Sequence, residues 1–218
     1  MATIKEYLDY AELAQASYSN LQKDMFGSTN SLYVEVLKTE FSETQAKAFA
    51  DRYTVKAVYN DPNGFSATLF QDGDKLILSL RGTDQAVDVD DDAWLTTGKL
   101  PPQYESMITF FKELQTSSMI TTESNLVVTG HSLGGALTQM LTATYPEYVD
   151  EAYTYNSPGA ATLRYKGQTL FSNGLVFDSF IAYQTFFTCK TFSISKALHV
   201  KNKIQPKEAS CELQIMVA

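Results

Sequence analysis

Histidine, cysteine and tryptophan are scarce in this chain: two, two and one among 218 residues. Two cysteines, Cys189 and Cys211, make no disulfide framework and do not fix a redox compartment. No run approaches the ~18 consecutive apolar residues that a membrane-spanning helix needs. Positive charge is also short, with 17 Lys and Arg against 25 Asp and Glu, a net charge of −8. That balance argues against nucleic acid, or an anionic membrane surface, as a general partner. The N-terminal stretch from Met1 to Tyr10 has neither a basic segment nor an apolar core, so it does not read as a secretory signal. The expected location is the cytoplasm, or outside the cell by a route that uses no signal. What remains is 44% hydrophobic and 19% charged, ordinary for a soluble globular chain, and its length is most simply one domain over residues 1–218.

Periodicity then sets out the elements. Thr3 and Glu6 form a capping-box pattern, and apolar residues at Ile4, Tyr7, Leu8, Ala11, Ala14 and Tyr18 predict an amphipathic helix ending near Asn20. Residues 22–31 are polar around Gly27 and read as loop. Ser42 and Gln45 begin a second helix that reaches about Arg52. Tyr53–Tyr59, Phe65–Gln71 and Lys75–Leu80 read as strands, the last two joined as a hairpin around Asp72-Gly73. Pro101-Pro102 precedes a helix over about Gln103–Gln115 with Tyr104, Met107, Ile108, Phe111 and Leu114 on one face. Strands alternating with helices predict an α/β fold with a mainly parallel sheet.

The stretch from Asn125 to Leu137 carries the chemistry. Leu126-Val127-Val128 has the look of a buried strand. Gly130-His131-Ser132-Leu133-Gly134 matches G-x-S-x-G, and a helix with small residues at its start follows. Strand, tight turn and helix together are the setting of a nucleophile elbow. There a serine exposes its Oγ at a strained turn, and flanking glycines remove the β-carbons that would collide with neighbouring backbone. Ser132 is the candidate nucleophile. The competing reading is an ordinary strand-to-helix turn.

Gly130 to Leu137, with Leu80-Arg81-Gly82-Thr83 before it and Tyr155-Asn156-Ser157-Pro158-Gly159 after it, resembles the class 3 lipases of the α/β-hydrolase fold. The resemblance runs from about Tyr10 to about Gly159. It implies a serine carboxylic-ester hydrolase acting on acylglycerol or phospholipid, with no cofactor. It also implies oxyanion donors at Thr83, by its backbone N–H and often its hydroxyl, and at the Leu133 N–H. The family places its lid or substrate-entry segment near Asp84–Asp92, so Trp94, Leu95, Leu100 and Tyr104 either form an apolar lip that touches lipid transiently or pack on the core. Five aspartates between Asp84 and Asp92 suggest calcium, but the spacing lacks the glycine and terminal glutamate of an EF-hand loop. A solvated loop is the preferred reading, and no metal is expected.

After Gly159 the composition changes. Ten Lys and Arg face 22 Asp and Glu up to that point, and seven face three beyond it. A serine hydrolase needs a base and a carboxylate to orient it. In the resembled family the histidine beside the nucleophile is not the base, so His131 leaves His199 as the candidate. Asp178 lies between Ser132 and His199, giving the order Ser, Asp, His of an α/β-hydrolase. Yet Asp178 and His199 are only 21 residues apart, and only 86 residues follow Ser132. The alternatives are a surface histidine with a turn aspartate, a truncated or frameshifted tail that leaves an impaired lipase-like domain, or a thioesterase or peptidase on the same fold.

Overall fold

Thr3 does close the first capping box: its hydroxyl accepts from the Glu6 N–H at 3.2 Å, and the Glu6 carboxylate accepts from the Thr3 N–H at 2.7 Å. The helix it begins, α1 (Ile4–Ala16), stops before Asn20. Beyond it the backbone tightens, with the N–H groups of Tyr18 and Ser19 turning back to the carbonyls of Gln15 and Ala16. These features belong to a computed structural model that describes residues 2–82 and 100–159, and the backbone of short strands at 164–165, 168–169, 196–201 and 213–217. Helix α2 (Ser31–Leu37) was not foreseen from the polar segment before it; Asn30 caps it, accepting from the Tyr33 N–H at 3.1 Å. Helix α3 (Glu43–Arg52) begins at the expected Ser42–Gln45 box.

Three strands follow: β1 (Thr54–Asn60), β2 (Ser66–Asp72) and β3 (Lys75–Leu80). Gly73 takes φ 62° in the two-residue link that pairs Asp72 with Lys75, as the hairpin signal predicted. After it come α4 (Gln103–Thr116), β4 (Asn125–His131), α5 (Leu133–Thr144) and β5 (Glu151–Tyr155). A two-residue pair, β6 (Arg164–Tyr165) and β7 (Gln168–Thr169), forms a separate ladder, while β8 (Lys196–Lys201) and β9 (Leu213–Val217) extend the main sheet. The sheet order is β1-β2-β3-β4-β5-β8-β9.

The sheet is mixed where a mainly parallel one was expected. Its centre, β3–β4–β5, is parallel, because α4 and α5 supply crossovers long enough to return each strand in the same direction. Links of a few residues cannot do this, so β1–β2 and β2–β3 are antiparallel. Strands β8 and β9 also join antiparallel.

Period-2 alternation sorts the sheet's side chains into two cores. Phe70, Ile77, Val127, Tyr153 and Tyr155 pack with α1 and its neighbours, whereas Leu69, Leu78, Leu80, Leu126, Val128 and Ala152 pack with α4 and α5. Hydroxyls fasten the first layer. Tyr155 Oη donates to the Tyr7 carbonyl at 2.6 Å, Thr129 Oγ1 to Tyr10 at 3.0 Å, and Ser79 Oγ to Leu13 at 2.9 Å. Three adjacent strands thus grip one face of α1 at three-residue intervals, which follows the helical repeat. The architecture is α/β-hydrolase-like, with the end of β4 at the centre of the sheet's carboxyl edge.

Candidate active site

Ser132 joins β4 to α5 with φ 56° and ψ −126°, a backbone conformation that L-residues rarely hold. Such an outlier costs about 1–3 kcal/mol and persists only where surrounding structure enforces it. Here the Ser132 N–H donates to the Tyr155 carbonyl at 3.0 Å, and its own carbonyl accepts from the N–H groups of Gly135 and Ala136 at 3.0 and 3.3 Å. Ser132 is also the N-cap of α5, yet its hydroxyl makes no capping bond. Serine usually caps by accepting from the first turn. In this turn the backbone holds Oγ away from that role.

The flanking glycines are there for space. A β-carbon at Gly130 would run into the Gly134 carbonyl and lie 2.8 Å from Thr138 Oγ1. One at Gly134 would run into the Leu80 carbonyl, and one at Gly135 would meet Ser157 Cβ at 2.5 Å. The first turn of α5 is thereby pressed between the ends of β3 and β5. Leu133, buried at the first helical position, carries an N–H that no intrahelical carbonyl can accept, at the positive end of the helix dipole. An oxyanion donor requires an N–H of this kind.

His131 lies on the α1 side of the elbow. Its Nδ1 is 3.4 Å from Tyr18 Oη, with the two rings edge-on at 6.3 Å between centroids. Burial pushes its pKa below the ordinary imidazole value, so the neutral ring is favoured. On the other side, Gln139 of α5 donates to Ser157 Oγ at 3.0 Å and to the Pro158 carbonyl at 3.1 Å. This pins the segment after β5, where Asn156 takes φ 48°. Sequence reasoning passed over Tyr18, which reads as the last apolar position of a helix, and Gln139, which reads as a polar helix residue. The polarity of Gln139 amid apolar helix neighbours was the available signal.

The remaining candidates fare unequally. Thr83 and Asp178, with Trp94, Leu95 and the Asp84–Asp92 run, lie outside the described residues. His199 enters by its backbone in β8, paired with Tyr153 and so level with Thr129 of β4 rather than with the elbow. Tyr104 is buried with its Oη 3.0 Å from Thr144 Oγ1, and Leu100 packs on the same core; for these two the packing role holds, not the lip. Among the described residues no helix is long and apolar enough to cross a membrane.

Solved structures resemble part of the chain. Lipase II from Rhizopus niveus shares 18% identity at a TM-score of 0.44, covering 72% of this chain and 64% of that one. Lip2 lipase from Yarrowia lipolytica shares 16% at 0.43, covering 72% and 61%. The chain thus spans less than two thirds of either structure. No curated protein matches it. The family model described as a Tle-like phospholipase domain, of the phospholipase-like family, matches residues 9–168, which takes in the elbow and both flanking blocks. With most of its length inside that match, the chain belongs to this phospholipase-like family, with a Tle-like phospholipase domain.

Proposed function

We propose that the chain is a serine hydrolase of lipid carboxylic esters, with acylglycerols or phospholipids as substrates. The observation that carries this reading is Ser132, held at φ 56° on a strand-to-helix turn between glycines that admit no β-carbon. Ser132 Oγ attacks the ester carbonyl while a base takes its proton. The Leu133 N–H, with that of Thr83, holds the oxygen that becomes negative. The tetrahedral intermediate then collapses, the alcohol leaves with the proton, and water releases the acid from the acyl-enzyme by the same steps. His199 is the proposed base and Asp178 its orienting carboxylate. No cofactor takes part.

A second reading, an impaired domain without a working base, has its own support. The family match stops at residue 168, before Asp178 and His199, and β8 sets His199 level with mid-β4. Labelling with a fluorescent fluorophosphonate separates the two, since the probe reacts with an activated serine whatever the natural substrate. Labelling of the parent that is lost in Ser132→Ala and in His199→Ala supports the complete triad. Labelling lost only in Ser132→Ala assigns the base elsewhere. No labelling of the folded parent supports the impaired domain.

A further inference from the structure

We propose that Tyr18 is a positioning residue for the oxyanion end of the elbow, acting through Gly82 and His131; this rests on the hydrolase reading above. Tyr18 sits just beyond α1, where Ser17 Oγ donates to the Ala14 carbonyl at 2.7 Å and the Tyr18 N–H to the Gln15 carbonyl at 3.1 Å. Its backbone is therefore tied to the helix end, and its ring extends toward the elbow, 3.4 Å from His131 Nδ1 at the hydroxyl. A β-carbon on Gly82 would lie 2.7 Å from Tyr18 Oη, 2.9 Å from the His131 carbonyl oxygen and 3.4 Å from the Leu133 nitrogen. Groups from the α1 end, the β4 end and the start of α5 thus converge on one α-carbon. The end of β3 fits there only as glycine, with the Tyr18 hydroxyl against it.

The consequence is geometric. Gly82 lies beside the start of α5, where a β-carbon on it would be 3.4 Å from the Leu133 nitrogen. Tyr18 Oη and the backbone carbonyl oxygen of His131 both stand against Gly82. A neutral imidazole with its proton on Nε2 accepts the Tyr18 O–H at Nδ1, and burial favours the neutral ring. Neither group needs to touch the ester. Their effect is on where β3 ends relative to Leu133, and a misplacement of about 1 Å near reacting atoms costs on the order of 100-fold in rate.

The test is the full chain with Tyr18→Phe, which keeps the ring and removes the hydroxyl. With a fluorophosphonate probe, the maximal labelling rate constant is expected to fall about tenfold while the half-saturating concentration stays within about twofold, the pattern of a lost transition-state interaction. A merely structural role would lower the folded fraction instead, and normalising to folded protein by circular dichroism removes that effect. An unchanged maximal rate overturns the proposal. If the parent takes no label, the hydrolase reading fails, and a double-variant cycle still decides the arrangement. Gly82→Ala must displace the Tyr18 hydroxyl in the parent but not in Tyr18→Phe. Its loss of folding equilibrium constant is therefore expected to be about tenfold smaller in the second background. Equal losses in both backgrounds overturn the placement of Tyr18 on Gly82.

Discussion

The α-carbon of Gly134 faces the carbonyl of Leu80 so closely that a β-carbon at Gly134 would overlap that oxygen and lie 2.8 Å from the carbonyl carbon. Both partners are backbone, one in the first turn of α5 and the other at the end of β3, so neither can step aside. Gly134→Ala is expected to destabilise the fold by about 3 kcal/mol or more, the upper range for overpacking. Gly73→Ala is the control. Its φ of 62° is unfavourable for alanine, but nothing lies within 4 Å, and about 1 kcal/mol is expected. Urea unfolding of the two variants checks the order, and a smaller loss at Gly134 than at Gly73 would contradict the packing of α5 on β3.

Ser132 is strained in the service of its position. Ser132→Gly keeps the turn and removes the clash of a side chain at φ 56°, so it is expected to raise stability by about 1 kcal/mol. Ser132→Ala keeps the strain and should leave stability within about 0.5 kcal/mol of the parent. Denaturant midpoints of the three proteins give the comparison. Equal midpoints for Gly and Ala would mean the turn carries no strain.

Much of this frame was legible in the residues. Thr3 with Glu6, and Ser42 with Gln45, announce helix starts because a side-chain oxygen three residues from a carboxyl or amide leaves few other uses for either. The Asp72-Gly73 link and the glycines about Ser132 announce turns for equally local reasons. Contacts between distant segments left no such mark. Tyr18 reads as one more apolar helix position, and its meeting with His131 spans 113 residues. Helix α2 was hidden because the polar run before it, with Gly27, looks like loop up to the cap. The hairpin signal foretold the antiparallel β2–β3 pair, but elsewhere alternation reveals strands and not their direction, so the antiparallel β1–β2, β5–β8 and β8–β9 pairs were not foreseen.

Of the three hydroxyls that bind α1 to the sheet, that of Tyr155 predicts a response to base. Burial pushes the Tyr155 pKa well above its ordinary value of 10, as it does for Tyr33, Tyr53 and Tyr153. A raised folded pKa means that, above about pH 10, the unfolded chain loses protons that the folded one keeps. Stability is then present below pH 10 and declines as pH rises, by up to about 1.4 kcal/mol per pH unit for each tyrosine. Tyr155→Phe removes one such contribution and also the bond to the Tyr7 carbonyl, at a cost of about 1 kcal/mol at neutral pH. Unfolding free energies measured from pH 7 to 11 should show a lower start and a shallower decline for the variant. An unchanged slope would mean that the Tyr155 hydroxyl reaches solvent.

His131 governs the acid side. Its folded pKa lies below the ordinary 6.5 because burial disfavours the imidazolium. Between those two values the unfolded chain binds a proton that the folded chain refuses, so stability is full above about pH 6.5 and falls as pH drops toward the folded pKa, with a slope of at most about 1.4 kcal/mol per pH unit. His131→Gln has no titrating group and should flatten the curve in that window, while carboxylate effects below pH 5 persist in both proteins. The Tyr18 contact sharpens the expectation. A protonated ring has N–H on both nitrogens, so at Nδ1 it donates to Tyr18 Oη where the neutral ring accepted from it, and the contact reverses direction. Imidazole resonances of His131, followed by NMR through the titration, should move together with those of the Tyr18 ring. Independent titration curves would mean that the two rings merely lie side by side.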